Sequence, residues 1–308
     1  MKKRILITGA SGFIAGRLRS FVEEKKLPFE VGGISHRWED PQIKVFRCDF
    51  TDPKKLREIL SSFRPDYIFH LAGGRLPDEK EMLFANFETT RALFDALQGV
   101  ENFHPRIIIP STAAEYGRLP KTVKFVREES PLHPVSWYGF VKYMQTSLSL
   151  MYARRGFDVV VTRMFNILGF GVPESLAVGR FAKEIVKIEQ GLHPAILETR
   201  NLSGKRDFLD IEDICSGLIS IALRGKKGES YNLCSGRAYG IRPLLKKLLK
   251  YSVVKDIEIK EEKENFSHSY DCIGSNAKIQ KALSWKPQTS IDESLQKSLN
   301  YYRGLKTF

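Results

Sequence analysis

Short apolar runs alternate with amphipathic stretches through the first half of the chain. The runs fall near residues 4–8, 29–35, 43–48, 66–71, 105–111 and 157–163, each the length of one buried strand. A helical stretch follows the first run to about Lys25, and others span residues 53–63, 79–98 and 136–155. This alternation predicts an α/β fold, a doubly wound and mainly parallel sheet wrapped by helices. Ligands of such sheets lie outside the carboxyl ends of the strands, where strand order reverses.

After about Asn166 the alternation becomes irregular, and Gly169, Gly171 and Pro173 mark a loop. A helical run near 176–190, short strands and helical stretches near 240–251, 275–283 and 290–303 follow. Residues 1–165 are therefore expected to form one domain and 166–308 a smaller mixed α/β lobe that holds a substrate. No run approaches the roughly 18 apolar residues of a membrane span. Met1-Lys-Lys-Arg4 leads straight into the first strand, so no signal peptide is expected and a cytoplasmic location is. Cys48, Cys215, Cys234 and Cys272 are scattered, which predicts neither disulfides nor a metal site. The net charge of +13 comes from dispersed basic residues. It suits anionic small molecules as well as a generally basic surface, and no nucleic-acid partner is expected.

The chemistry begins in the first turn. Gly9-Ala-Ser-Gly12-Phe-Ile-Ala15 follows a buried strand and opens a helix. Its first glycine allows the tight turn, and the second lets backbone approach a pyrophosphate at the positive helix end. Ala15 takes the third, packing position. The unit is a dinucleotide-binding start of the Rossmann type, with Gly9, Ser11, Gly12, Phe13 and Ile14 as cofactor residues. Further along, Tyr138 and Lys142 stand four apart in a helix from Ser136 to about Arg155, on one face. An ammonium beside the phenol is expected to favour its ionised form, against an ordinary tyrosine pKa of about 10.

Together with Pro110-Ser-Thr-Ala-Ala-Glu-Tyr-Gly117, these motifs resemble the extended short-chain dehydrogenase/reductases, in particular their nucleotide-sugar branch of epimerases, dehydratases and reductases. The resemblance runs on through Arg163-Met-Phe-Asn166, Gly204-Lys-Arg-Asp-Phe-Leu-Asp-Ile-Glu-Asp213, Tyr231-Asn-Leu-Cys-Ser-Gly-Arg-Ala238 and Gly274-Ser-Asn-Ala-Lys-Ile-Gln280. It implies a catalytic set of Thr112, Tyr138 and Lys142, with Ser111 as the alternative hydroxyl. It places Asp49 and Phe50 by the adenine, and Leu71, Ala72, Gly73 and Asn86 near the cofactor. Asn166 and Arg206 would contact the diphosphate of a nucleotide sugar, unless Arg206 pairs with Asp207 or Asp210. Arg180 and Lys183 are further candidates from charge alone. It also implies that parts of the second half return to the first domain, and that the chain dimerises through the helices near 79–98 and 136–155.

Three details bear on the reaction. Where NAD-users of this family carry Asp after the second strand, this chain has Ser35, with Arg37 two residues on. A hydroxyl and a guanidinium suit the 2′-phosphate of NADP(H); if Arg37 is merely solvated, NAD(H) is accepted. The family's 4,6-dehydratases carry carboxylates at one or both of the positions held here by Ala113 and Ala114. Glu115, one residue later in an expected extended segment, would point the other way, so dehydration is not expected. The motif details most resemble GDP-6-deoxy-D-mannose reductases, which implies reduction of a 4-keto sugar nucleotide. An NAD-dependent 4-epimerase and a cofactor-sensing scaffold are the alternatives.

Overall fold

The computed structural model describes residues 2–36, 40, 43–120, 122–262 and 271–305. The apolar runs become β1 (Lys3–Thr8), β2 (Phe29–Ser35), β3 (Lys44–Arg47), β4 (Tyr67–His70), β5 (Arg106–Thr112) and β6 (Asp158–Met164). The amphipathic stretches become α1 (Phe13–Glu24), α2 (Pro53–Phe63), α3 (Glu79–Leu83), α4 (Thr89–Gln98) and α5 (Trp137–Arg154). A π-helical turn, Phe84–Glu88, joins α3 to α4.

The second half supplies β7 (Asn166–Leu168), α6 (Ala177–Glu189), β8 (Ile196–Thr199), β9 (Lys205–Arg206), β10 (Phe208–Asp210) and α7 (Ile211–Arg224). Beyond these come β11 (Ser230–Leu233), β12 (Tyr239–Gly240), α8 (Ile241–Lys250), β13 (Glu258–Glu261), α9 (Ala277–Leu283) and α10 (Ile291–Arg303). The central sheet has seven strands in the order β11-β6-β5-β4-β1-β2-β3, each pair parallel. The order reverses between β1 and β4, where Thr8 stands opposite His70. That reversal leaves a crevice at the carboxyl ends of the two strands.

The strands are apolar throughout because helices cover both faces. Side chains alternate: Ile5, Ile7, Ile108 and Val160 enter the layer shared with α1, α7 and α9, whereas Leu6, Ile107, Ile109, Val159 and Val161 enter that of α2, α4 and α5. A third apolar cluster unites α6, α8 and α10 in the smaller lobe.

Helix α7 is the element that the periodicity missed. Ten of its fourteen residues are buried, so its sequence lacks the polar stripe that marks a surface helix. It carries the second half of the chain back against the sheet. Leu218, fully buried in that layer, tests its weight: Leu218→Ala should cost about 2–5 kcal/mol. A urea-unfolding midpoint unchanged from wild type would show that α7 does not share the core.

Candidate active site

Gly9 sits at φ +63°, and a Cβ there would lie 2.7 Å from the Ala72 Cα. The turn after β1 and the one after β4 are thus in backbone contact, which only glycine permits. Gly12 donates to the Gly9 carbonyl at 2.9 Å and caps α1 with no side-chain bond. The first N–H groups of α1 are therefore left for an anion. Ser11 is exposed beside them, Phe13 and Ile14 are half-buried, and Ala15 packs inside.

Asn86 holds the opposite wall. Its Oδ1 accepts the Gly74 N–H at 3.0 Å, and its Nδ2 donates to the Gly74 and Met82 carbonyls at 2.9 and 2.8 Å. Gly73, at φ +109°, leaves room for this clamp, since a Cβ would meet Asn86 Oδ1 at 2.5 Å. Asn86 thus fixes the Gly74 backbone.

Ser35 is buried at the tip of β2, and its carbonyl accepts the Cys48 N–H. Arg37 lies outside the described residues. Asp49 accepts the Thr51 N–H at 3.0 Å, which holds its carboxyl below the usual range, and it faces His36 at 3.6 Å. Phe50 packs edge-on against His70.

The catalytic candidates meet where β5 ends. Ala113–Glu115 form a 3₁₀ turn, not the extended segment expected, because Thr112 Oγ1 caps the Ala114 N–H at 3.2 Å. Ser136 caps α5 through the Gly139 N–H at 3.1 Å. A Cβ on Gly139 would sit 2.6 Å from the Ala114 carbonyl oxygen. Helix α5 therefore starts in backbone contact with the turn, and Tyr138 comes under the influence of the Thr112 hydroxyl. Ser111 is buried and donates instead to Glu115.

The phenol differs from expectation. Burial raises its pKa, the Thr112 hydroxyl pulls it down, Glu115 raises it, and the opposing positive charge is that of Arg75. Lys142 does not supply that charge because its ammonium is turned elsewhere: Nζ donates to the Pro110 carbonyl at 2.7 Å and to Gln145 Oε1. Burial pushes the Lys142 pKa down to about 8, and Glu115 opposes the shift.

Glu115 is fully buried and pairs with Arg163 at 2.7 Å. Its Oε1 also accepts from Thr146 at 2.6 Å, and Arg163 Nη1 donates to the Glu128 carbonyl at 2.9 Å. The carboxylate is thus drawn into the core, away from the face where Ala113 and Ala114 stand in for dehydratase acids.

On the far side, Asp207 is fully buried. It accepts the Ser235 N–H and Oγ–H, both at 2.7 Å, the Gly236 N–H at 2.9 Å and the Gly274 N–H at 3.2 Å. Asp210 caps α7 through the Glu212 N–H. Arg206, half-buried beside them on β9, donates to the Lys205 carbonyl, and Asn166 donates to the Asp207 carbonyl at 2.9 Å. Arg180 is exposed on α6 over the Phe181 ring, and Lys183 is ion-paired with Glu174.

Sequence spacing gave no sign of Arg75, Gln145, Thr90 or His70. Arg75 follows two glycines in a loop, and the other three come together only through the fold. No group able to hold a metal ion occurs among the described residues.

A family model described as the NAD dependent epimerase/dehydratase family matches residues 5–234. The chain belongs to that family. Among its relatives, GDP-6-deoxy-D-mannose reductase of Pseudomonas aeruginosa is 28% identical over 97% of this chain and 97% of its own length. GDP-6-deoxy-D-talose 4-dehydrogenase of Aggregatibacter actinomycetemcomitans is 28% identical over 84% of this chain and 83% of its own. The structure of RMD from Pseudomonas aeruginosa complexed with NADPH superposes with a TM-score of 0.87 at 28% identity, covering 98% of this chain and 100% of that one. A Rossmann-type sheet is thus shared along almost the whole chain. Among the described residues, no helix is long and apolar enough to cross a membrane.

The buried ion pair sets a stability test. Arg163→Met should cost about 3–5 kcal/mol by leaving Glu115 charged and unpaired. Adding Glu115→Leu should recover most of the loss in chemical denaturation. An additive double variant would refute the pairing.

Proposed function

We propose that this protein is an NADPH-dependent reductase of the 4-keto group of a nucleotide-linked 4-keto-6-deoxy sugar, of the kind that its relative's name describes, GDP-6-deoxy-D-mannose reductase. The observation that carries the reading is Tyr138 within the influence of the Thr112 hydroxyl, one helical turn from buried Lys142 on α5. The close-packed Gly9 and the uncapped start of α1 fit a dinucleotide diphosphate. Ser35, with no carboxylate in its place, suits a 2′-phosphate, and the similar RMD structure holds NADPH.

When bound, the reduced nicotinamide supplies hydride to the sugar C4. Thr112 hydrogen-bonds the carbonyl oxygen, and Tyr138 gives it a proton. Lys142 orients the cofactor through its remaining N–H. A phenol whose pKa is raised by burial stays protonated at neutral pH. That state suits a donor to a carbonyl, the task of a reductase. An NAD-dependent 4-epimerase must begin by taking a proton from an alcohol, which calls for the ionised phenol. A cofactor-sensing scaffold would have no use for the retained hydroxyl, phenol and ammonium. We assign the cofactor to residues 1–165 and the sugar nucleotide to 166–308, with Arg206 and Asn166 toward its diphosphate and Arg180 and Lys183 in outer positions.

Incubation with NADPH and GDP-4-keto-6-deoxymannose should oxidise the cofactor, faster than with NADH. Tyr138→Phe should lower kcat at least about 100-fold while the cofactor still binds. No turnover with any 4-keto sugar nucleotide would refute the reading, and product analysis by NMR would identify the sugar.

The proposal includes a homodimer. Phe84, Trp137, Phe140, Tyr143 and Met151 are each at least 36% exposed, and they lie on α5 and the π turn that packs beside it. Sedimentation should give a dimer of the 35.2 kDa chain, and Phe140→Asp should shift it toward monomer. A monomeric wild type at micromolar concentration would exclude this interface.

A further inference from the structure

Lys142 is joined to the cofactor turns by a buried chain of side chains from four separate elements. Gln145, one turn further along α5 and fully buried, presents Oε1 to the ammonium. Its Nε2 donates to Thr90 Oγ1 at 2.7 Å, and this fixes which way the amide faces. Thr90 donates its own proton to the Asn86 carbonyl at 2.6 Å. It must therefore accept from His70 Nε2, 3.0 Å away. The imidazole then carries its proton on Nε2 and accepts at Nδ1 from the Thr8 hydroxyl at 2.9 Å. Thr8 in turn accepts the Ala72 N–H at 3.1 Å, at the backbone that touches Gly9. Each proton position follows from the donors and acceptors available, with none in conflict.

His70 suits this role because it remains neutral. Full burial and the nearby Lys142 charge push its pKa down to about 3. The ammonium has three N–H groups, and two find acceptors among the described residues, Pro110 O and Gln145 Oε1. The third finds none among them.

We propose that Gln145 is a positioning residue for Lys142, held in place by Thr90, His70 and Thr8, which aims the last N–H of the ammonium at the bound cofactor. This rests on the reading of Lys142 as the residue that orients a nicotinamide dinucleotide. A neutral amide is the fitting acceptor, since it solvates the ammonium without cancelling the charge that faces an anionic ligand. A carboxylate there would neutralise it, and an aliphatic side chain would leave it with one protein acceptor.

The ionisable groups around Lys142 are Glu115 of the 3₁₀ turn, His70 of β4 and Tyr138 on its own helix, with Arg163 of β6 behind Glu115. Among these, Lys142 is the group whose charge is lost near pH 8, as pH rises through its pKa. NADPH affinity, followed by nucleotide fluorescence between about pH 6 and 10 without substrate, should therefore weaken along an alkaline limb set by Lys142.

Gln145→Leu should move the midpoint of that limb down by about one pH unit, and Gln145→Glu should move it up by a similar amount. Thr90→Val, which frees the amide without touching the ammonium, should move it down by less. Far-UV circular dichroism shows which variants fold; should Gln145→Leu fail, Gln145→Glu and Thr90→Val carry the comparison. Identical midpoints in wild type and folded variants, or shifts of one sign for Leu and Glu, would overturn the proposal. So would a wild type with no alkaline limb. If the opposed shifts appear but no 4-keto sugar nucleotide is turned over, Gln145 keeps its role and the proposed reaction falls.

Discussion

An ammonium group removed from water must find protein acceptors for its N–H groups or give up its proton. Lys142 is 6% exposed, so much of the active-site architecture can be understood as the answer to that demand. Pro110, near the end of β5, offers its carbonyl, and Gln145 offers its amide because Thr90 turns it. Thr90 stands next to the π turn that also places Asn86 against the Gly74 backbone. The same few contacts that solvate the charge thereby fix the walls of the crevice between β1 and β4.

A buried charge pair supports this ammonium from behind. Glu115 and Arg163 tie the 3₁₀ turn to β6, and Thr146 links that turn to α5. The turn therefore cannot shift without disturbing both the phenol and the lysine helix. Glu115 also acts at a distance on each, raising the phenol pKa and opposing the loss of the lysine proton. Both effects keep protons in place on the groups that face the crevice.

Much of this was legible in the sequence. The strands from β1 to β6 were visible because parallel strands covered on both faces are continuously apolar, and α5 was delimited by Ser136 and Arg155. The glycine turn and the Tyr138–Lys142 pair stand on short local spacings, whereas Thr112 entered as what the family resemblance implied. Helix α7 was not visible, since a helix buried on nearly all sides has no polar face to set its period. The 3₁₀ turn escaped because one hydroxyl cap, from Thr112, decides it. The chain from Thr8 through His70, Thr90 and Gln145 spans 137 positions and depends on strand order, so no local window contains it. The phenol was misjudged for a related reason: spacing on a helix says which residues are neighbours but not which way a long side chain turns.

The Asp207 clasp sets where two loops of the second half can run. One carboxylate gathers backbone from the loops at 235–236 and at 274, next to Arg206 and Asn166. The exposed Arg237 and Ala238 contribute no side chain to it. Substitutions at those two places leave the carboxylate's bonds to Ser235, Gly236 and Gly274 untouched. The path of this loop is thus anchored from beneath, by a residue 28 positions earlier in the chain, and not by the side chains it displays.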